Sequence, residues 1–348
     1  MFNRSFLENV ALGAYTNIVP FVKYGYNPTL AAVESDIWGL TGLYGVGGLF
    51  PQAAVQMEIV GSENTNDIGT IIKGSRSTPI TSDAGGSLTT LLDADVDFGA
   101  ATAVEVGDYL ILDPSGPVAE WGVVTTVAAH TLTCSAGFSV GGTGTTRVYF
   151  VIDANAHTGA EAFRIEYLDN TFVSKSLILP ANGTTAVTTL NSAGAALTDL
   201  YRINTFRMIA SGSLYKTSGY WEIRTVSAGT IWDYITLGNT RARAGVYTVP
   251  ANKTLYINNI YVGWASPNDN KIQSARFIVR INAEPSLLFN TGNIFYPIIE
   301  PIITNSTDDI EYKAPLKVPQ KTDLRTMGVA YTGGSGPATS AIRGFIVS

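Results

Sequence analysis

The feature that most constrains this chain is an alternation of apolar and polar residues that recurs from about residue 55 to its end. A period of two places the apolar residues on one face of a β-strand. Turn-forming sequences such as Ala181-Asn182-Gly183 and Pro250-Ala251-Asn252 separate these segments at intervals typical of sandwiches and barrels. The clearest alternating sets are Val55, Met57 and Ile59; Phe163, Ile165 and Tyr167; Trp221, Ile223 and Thr225; Leu255, Ile257 and Asn259; and Phe277, Val279 and Ile281.

The composition also favours β-structure. Only 14% of the residues are charged, so the solubility of the chain rests on Thr, Ser, Asn and Gly. The 35 glycines and 15 prolines supply the frequent turns that short strands need. Residues 190–202 are the best helical candidate, and Gly194 disfavours a helix even there. We therefore predict an all-β chain whose main domain is an antiparallel, jelly-roll-like β-sandwich.

A shift in composition divides the chain into domains. Residues 76–150 are rich in Gly, Ala, Asp and Thr and poor in Lys and Arg. Their short strand patterns surround a tight turn at Asp113-Pro114-Ser115-Gly116 and predict a small β-barrel module, inserted into a loop where an added domain costs little stability. Residues 27–75 and 151–348 then form the β-sandwich main domain, with a division into two sub-sandwiches near residue 240 as an alternative.

Residues 1–26 are predicted to form an extended N-terminal arm. Phe2, Phe6 and Leu7 fall on one short helix, and a proline-interrupted apolar stretch follows from Ile18 to Val22. Two interpretations are equally supported: a first strand or helix packed on the domain, and an arm that docks on a neighbouring subunit. On the second interpretation, Phe2, Phe6 and Leu7 are candidate subunit contacts.

The glycine-rich stretch at residues 42–48 superficially resembles a phosphate-binding loop, but it lacks the preceding strand and the Lys-Ser or Lys-Thr that such a loop requires. We interpret it as a flexible loop that carries Tyr44, Leu49 and Phe50. Aromatic residues on such a loop more often pack on their own sheet, although they also bind in a neighbour's groove. Tyr44, Leu49 and Phe50 are therefore further candidate subunit contacts.

Residues that carry catalysis are sparse. His130 and His157 are the only imidazoles, and neither lies near a serine or cysteine in a recognised nucleophile pattern. Cys134 is the only cysteine, so we expect no disulfide and a small buried apolar side chain. We predict no catalytic residue, no cofactor and no enzymatic activity. A glycan-degrading enzyme, the alternative, would need acidic residues that converge in a cleft.

Asp93, Asp95 and Asp97 alternate along the chain, so on a strand their carboxylates would line one face. Such a face could hold a hard cation such as calcium, or it could be a solvated edge whose charge discourages strand-to-strand aggregation. The glycine and distal glutamate of a calcium-binding helical loop are absent. We predict the solvated edge and no metal site, and cation binding stays open as the alternative.

The charge pattern and the hydropathy limit the partners. The net charge of −6 and the absence of any run of Lys and Arg argue against nucleic acid. No segment reaches the roughly 18 continuous apolar residues of a membrane span. Glu8 and Asn9 interrupt the N-terminal segment before a signal-peptide core forms. We therefore expect protein partners, no membrane, and synthesis in a host cytoplasm.

The inner module resembles a small β-domain that recurs in phage virion proteins. The resemblance rests on Asp97-Phe98, on the turn at Val106-Gly107-Asp108, and on the closing strand at Thr131-Leu132-Thr133.

The rest of the chain resembles an uncharacterised family of structural proteins of tailed bacteriophages, and the matching blocks touch most of it except the arm. In the most specific block, Pro250 ends a strand and Ala251-Asn252-Lys253 turns the chain, which predicts a hairpin. The inserted module departs from the family pattern. The blocks are Asn27-Pro28, Glu34-Ser35-Asp36-Ile37-Trp38, Thr158 to Asp169, Asn182 to Thr189, Tyr201-Arg202-Ile203, Val246 to Ile257, and Val318 to Leu324.

The resemblance implies a structural protein of a virion. We expect an auxiliary or decoration protein on the capsid surface that stabilises the shell, with the major capsid protein and copies of itself as partners, for example in a trimer. The alternative is a tail, neck or head-fibre component that binds a receptor or glycan. Exposed tryptophans would then serve as stacking platforms, although burial in the core is the favoured interpretation for the candidates Trp121, Trp221 and Trp232.

Overall fold

The computed structural model is all-β, as predicted, and its strands pair in antiparallel sheets. The residues that it describes contain no helix, and so none that could cross a membrane. Residues 190–202, the best helical candidate in the sequence, form no helix where they are described: Gly194, with φ +76°, turns the chain so that Leu190 bridges Ala196. The described residues are 13–40, 42–45, 50–63, 70–73, 80–99, 104–114, 119–135, 138, 148–153, 158–191, 194–265, 274–282, 296–304, 306–331 and 335–348.

The chain begins with strands β1 (Ile18–Leu30), β2 (Ser35–Asp36) and β3 (Met57–Gly61). β1 pairs with the last strand of the chain from Ile18 opposite Val347 onward, so residues 18–26 belong to a sheet and the predicted arm is corrected there. β1 lies at the edge of this sheet, where a proline such as Pro20 is tolerated. Phe2, Phe6 and Leu7 lie outside the described residues.

Seven strands form an inserted module between β3 and the next strand of the main domain. Within the described residues this sheet is open, with β4 and β6 at its two ends, so the predicted closed barrel is corrected. Residues 70–73 and 151–153, predicted to lie in the main domain, also belong to this sheet. The strands are β4 (Thr70–Lys73), β5 (Ile80–Thr81), β6 (Thr90–Leu92), β7 (Tyr109–Leu112), β8 (Glu120–Ala128), β9 (Thr131–Cys134) and β10 (Val148–Asp153), in the order β4-β10-β7-β8-β9-β6 with β5 on β10.

The first sandwich follows the module. Its two sheets, β12-β11-β14 and β13-β3-β15-β16, enclose one buried cluster in which Phe163 and Trp221 pack with ring centroids 4.6 Å apart. Trp221 and Trp232 belong to this core, which confirms the burial expected for them. The strands are β11 (Ala160–Leu168), β12 (Ser174–Pro180), β13 (Val187–Thr188), β14 (Arg202–Ser211), β15 (Trp221–Thr225) and β16 (Ile231–Ile235).

The second sandwich contains the C-terminal strands together with β1 and β2. Its sheets are β1-β24-β18-β22 and β17-β23-β19-β20, with β2 on β23 and β21 on β19, and they enclose a second buried cluster that includes Phe277 and Ile260. The strands are β17 (Val246–Thr248), β18 (Thr254–Trp264), β19 (Ser274–Asn282), β20 (Tyr296–Ile299), β21 (Ile302–Thr304), β22 (Thr307–Val318), β23 (Asp323–Ala330) and β24 (Gly336–Val347).

The glycine-rich loop contributes to the core of the first sandwich. Tyr44 and Phe50 are buried there, with ring centroids 5.3 Å apart, and the Tyr44 backbone N–H donates to the Asp36 carboxylate. Tyr44 and Phe50 thus pack on their own sandwich, which was the favoured interpretation of this loop, and their assignment as candidate subunit contacts is corrected. Burial of a large ring in the core removes its apolar area from water. Leu49 lies outside the described residues.

Candidate functional site

A buried ion pair joins the two sandwiches. Arg202, at the start of β14, is 1% exposed, and its Nε and Nη2 atoms each lie 3.0 Å from a carboxylate oxygen of Asp323, which is fully buried at the start of β23. Burial alone lowers the pKa of the guanidinium, but the charge and hydrogen bonds of Asp323 outweigh it and raise that pKa. The guanidinium therefore stays charged inside the protein.

The remaining hydrogen-bonding atoms around this pair are also partnered. Arg202 Nη1 donates to the carbonyl oxygen of Pro51 at 2.6 Å, and the Thr248 hydroxyl donates to Asp323. The Asn204 side chain donates to the carbonyl oxygen of Thr248 at 2.8 Å and accepts its backbone N–H at 2.9 Å. A network this closed leaves no group facing a ligand, so its role is to fix the two sandwiches together.

The surface beside this junction carries the candidate site. Residues 240–243 run as an extended segment between the two sandwiches. On one side, the backbone N–H of Ala242 donates to the carbonyl oxygen of Phe206 in β14 at 2.9 Å. On the other side, the backbone N–H of Tyr26 in β1 donates to the carbonyl oxygen of Arg243 at 2.8 Å. Alternation along this segment buries Ala244 and turns Arg241 and Arg243 outward.

Two tyrosines of β1 hold these arginines. The guanidinium of Arg241 lies 4.9 Å from the ring centroid of Tyr24, and that of Arg243 lies 5.9 Å from the ring centroid of Tyr26. At these distances each ring attracts the cation, and the guanidinium N–H groups can still donate to a ligand. The alternating Arg-Ala-Arg and Tyr-Gly-Tyr sequences thus build a ladder of paired cations and rings.

Two cavities flank this ladder and share Arg241 and Arg243. We call them together the arginine–tyrosine groove. One cavity, of about 450 Å³, has Tyr24, Tyr26, Tyr261 and Arg343 among its lining residues. The other, of about 520 Å³, has Arg207, Tyr215, Lys216, Asn239 and Thr240 among its lining residues.

The groove is electrostatically unusual. In the described part of the chain, Arg241, Arg243 and Arg343 form no ion pair, whereas every other arginine there lies within 4.0 Å of a carboxylate oxygen. Arg207 stands directly opposite Arg241 in an antiparallel bridge, and its own partner, Glu166, is 3.9 Å away. Like charges directly opposite each other destabilise a pair of strands. A chain of net charge −6 therefore presents a positive site here.

Tyr215 marks the outer rim of the groove. It is 80% exposed, and its backbone lies at φ +55°, a region that residues other than glycine seldom adopt. A large exposed ring held in this conformation is a common feature of binding sites.

The residues that the sequence singled out for chemistry lie elsewhere. His130 is exposed, with Nδ1 3.0 Å from the carbonyl oxygen of Val96. His157 lies outside the described residues. Cys134 is free and buried, as expected, and burial raises the pKa of its thiol to about 12.

The three aspartates do not share one face as the alternation predicted. Asp93 is buried and accepts a hydrogen bond of 2.7 Å from the Tyr149 hydroxyl, whereas Asp95 and Asp97 are exposed in turns. Among the described residues, no group of three or more His, Cys, Asp or Glu side chains could hold a metal ion.

Sequence reasoning missed the groove. A usable signal was present in Thr240-Arg241-Ala242-Arg243-Ala244, where arginines alternate with alanines as outward and inward residues of an extended segment, and in Tyr24-Gly25-Tyr26. Neither sequence indicates that the two segments meet. Scans of the chain against models of protein families and against curated proteins found no match.

Proposed function

We propose that this protein is a non-enzymatic structural component of a tailed-bacteriophage virion, an auxiliary head protein that binds the capsid shell and stabilises it. Its proposed partners are the major capsid protein and further copies of itself in a symmetric oligomer such as a trimer. The resemblance of the sequence to phage structural proteins is the origin of the proposal. The structure supports the proposal because several of the blocks that carry the resemblance meet at the junction between the two sandwiches.

Four of those blocks, far apart in the chain, supply the polar groups of the junction between the sandwiches. Asp36, which binds Arg325, lies in one block. Asp323 lies in another, and Arg202 and Thr248, which both donate to it, lie in two more. Removal of one member of a buried charged network leaves its partner uncompensated, so such residues depend on one another. The resemblance therefore covers an interdependent set of residues, which supports a shared fold better than unconnected strand motifs would.

Quantitative mass spectrometry of purified particles tests the proposed position. An auxiliary head protein should be present in copies that match the capsomers of the shell, and cryo-electron microscopy should show it on the shell surface. Copies that form a single ring at the neck or tail would contradict the head position and favour the second candidate. Absence of the chain from purified particles would reject the virion role altogether.

The second candidate is a tail, neck or head-fibre component that binds a receptor or glycan. The arginine–tyrosine groove is the observation that favours it, because unpaired cations and an exposed ring are typical of a binding site and not of a shell contact alone. The stoichiometry of the particle separates the two positions, and the groove can act in either.

A further inference from the structure

We infer that the arginine–tyrosine groove binds a carboxylated oligosaccharide, a short stretch of an acidic polysaccharide such as a polyuronate. The inference rests on the glycan-binding role proposed above and names the ligand class. It applies whether the protein is on the head or on the tail.

The arginines supply the sites for the carboxylates. A guanidinium binds a carboxylate through two parallel N–H bonds, and its strength is greatest when its orientation is fixed beforehand. Tyr24 and Tyr26 attract the guanidinium groups of Arg241 and Arg243 and so restrict where these groups lie. Because Arg241 and Arg243 are two residues apart on an extended segment, their side chains leave the backbone about 7 Å apart. Two acidic groups of one chain-like ligand can therefore be bound together.

The antiparallel β-bridge between Arg207 and Arg241 also favours an anionic ligand in this groove. Two guanidinium groups opposite each other repel in the free protein, and Glu166 offsets only part of that charge, since it lies 3.9 Å from Arg207 and also pairs with Arg164 at 3.4 Å. A carboxylate between the two arginines removes the repulsion. The bound state is thus favoured by relief of a cost that the free protein carries.

The other lining residues distinguish a sugar from a bare anion. The exposed ring of Tyr215 offers an apolar face on which a sugar ring can stack. Asn239, Thr240 and Thr339 add neutral polar groups that suit sugar hydroxyls. The cavities of about 450 and 520 Å³ lie within the range of small-ligand sites.

A nucleic acid fits less well. Its charge density is high, and its affinity depends on many phosphate contacts. Here the cations are few and local, and the inserted module is strongly acidic: between residues 76 and 150, Asp and Glu outnumber Lys and Arg by six, which equals the whole net negative charge of the chain. A short acidic oligosaccharide needs only these few cations, and its many hydroxyls suit the neutral polar residues of the groove.

The test is isothermal titration calorimetry, in which oligogalacturonate is titrated into the intact chain. Methyl-esterified oligogalacturonate is the uncharged control. Polyglutamate and a single-stranded oligodeoxynucleotide serve as anions of other classes. We expect binding of oligogalacturonate that weakens at least about tenfold on esterification, and weaker binding of the other two anions. Equal binding of the esterified form, or a preference for polyglutamate or DNA, would overturn the assignment.

Variants locate the site. Arg241→Ala with Arg243→Ala should reduce oligogalacturonate affinity at least about tenfold, and Tyr215→Ala several-fold, because two-point carboxylate binding and stacking are lost. Arg241→Lys with Arg243→Lys keeps the charge but not the planar fork, so affinity should still fall. Unchanged affinity in these variants would reject the groove as the site.

Lys313→Ala with Lys317→Ala is the matched control, because it removes the same charge from exposed positions of β22, and it should leave the affinity unchanged. If the double arginine variant misfolds by circular dichroism, Arg343→Ala tests the same cavity from β24. The copy number of the Arg241→Ala, Arg243→Ala variant in purified particles separates the virion role from the sugar-binding role. If the variant is incorporated at the normal copy number but no longer binds oligogalacturonate, the groove is the sugar site and the virion role stands.

Discussion

The first sandwich forms two interfaces of opposite character. Toward the second sandwich it buries a network of charges and amides in which Arg202, Asp323, Asn204 and Thr248 are partnered. Toward the inserted module it buries an apolar cluster, in which Ile111, Phe150 and Ile152 of the module pack on Ala162, Ile178 and Ala210 of β11, β12 and β14. One interface is held by directional bonds and the other by apolar contact.

The apolar interface also contains a buried carboxyl. Glu161 in β11 is fully buried, and neither carboxylate oxygen has a hydrogen-bond partner. Burial, together with the nearby charges of Asp153 and Asp108, raises the pKa of this carboxyl to about 8. The group is therefore mostly protonated at neutral pH and becomes costly when it ionises.

The two interfaces therefore differ in how strictly they fix their partners. A buried network of charges is satisfied only in one arrangement, so it fixes the two sandwiches in one geometry. Apolar contact tolerates small shifts, and the buried carboxyl makes the module interface sensitive to pH. The inserted module is thus the part whose attachment should respond most to conditions.

The largest effect is expected at the polar interface. Arg202→Met leaves Asp323 buried without a counter-charge and should lower the free energy of unfolding by about 4 kcal/mol. Arg164→Met is the matched control, because Arg164 pairs with Glu166 at the surface, and its cost should stay below about 1 kcal/mol. Urea unfolding at pH 7 measures both. Equal losses in the two variants would show that the junction pair is no more important than a surface pair.

The apolar interface should weaken through Phe150→Ala, which leaves a cavity and should cost about 3 kcal/mol. The loss should be local. Hydrogen exchange followed by mass spectrometry should show faster exchange in β10 and β12 while β23, which lies in the second sandwich, keeps its protection. Uniformly faster exchange across both sandwiches would contradict the idea that the module attaches separately.

Glu161→Gln should stabilise the protein by about 2 kcal/mol at pH 8 and should have little effect at pH 4. Between the ordinary pKa of a glutamate and the folded value of about 8, the folded state holds a proton that the unfolded state has released, so stability falls as the pH rises through this range. The variant cannot ionise at this position, so its free energy of unfolding should not fall in this way between pH 6 and pH 8. Denaturant unfolding at several pH values measures the difference.

A smaller slope should remain in the Glu161→Gln variant at lower pH. Burial raises the pKa of Asp233 to about 6, although the charge of Lys23 opposes the shift. Stability should therefore still decline as the pH rises from about 4 to 6. An unchanged slope up to pH 8 in the variant would show that Glu161 is not the group responsible.

The smallest effect is expected from Thr248→Val. This change removes one hydrogen bond to Asp323 and keeps the size of the side chain and both bonds from Arg202, so it should cost about 1 kcal/mol. Thermal unfolding resolves such a difference. A loss as large as that of Arg202→Met would mean that the network acts as a single unit and not as a sum of separate bonds.

Local patterns in the sequence were sufficient to predict the strands and several turns. Pro250-Ala251-Asn252-Lys253 predicted the turn between β17 and β18, and Asn252 lies at φ +60°, as a tight turn requires. The predicted hairpin is wrong, because β17 pairs with β23 whereas β18 pairs with β22 and β24 in the facing sheet. The burial of Cys134 and of Trp221 also followed from alternation. These features depend on residues close together in the chain, and so their pattern is visible in the sequence.

The sequence does not show which strands pair with each other. Ile18 to Tyr26 carry a proline and read as an arm, yet they pair with the last strand of the chain. Glu161 reads as one polar residue of an alternating strand, and only the packing of the module over β11 makes it a buried carboxyl. Pairing between segments so far apart in the chain depends on many weak contacts across the whole domain, and it cannot be derived from any short segment of the sequence.

An all-β chain, an acidic inserted region and the alternation that places Arg241 and Arg243 on one side can all be derived from the sequence. That these arginines lie beside Tyr24, Tyr26 and Arg343, which come from opposite ends of the chain, follows from the three-dimensional fold alone. The physical reason is that alternation fixes the side to which a residue points, whereas the neighbour on that side depends on strand pairing and on the packing of whole sheets.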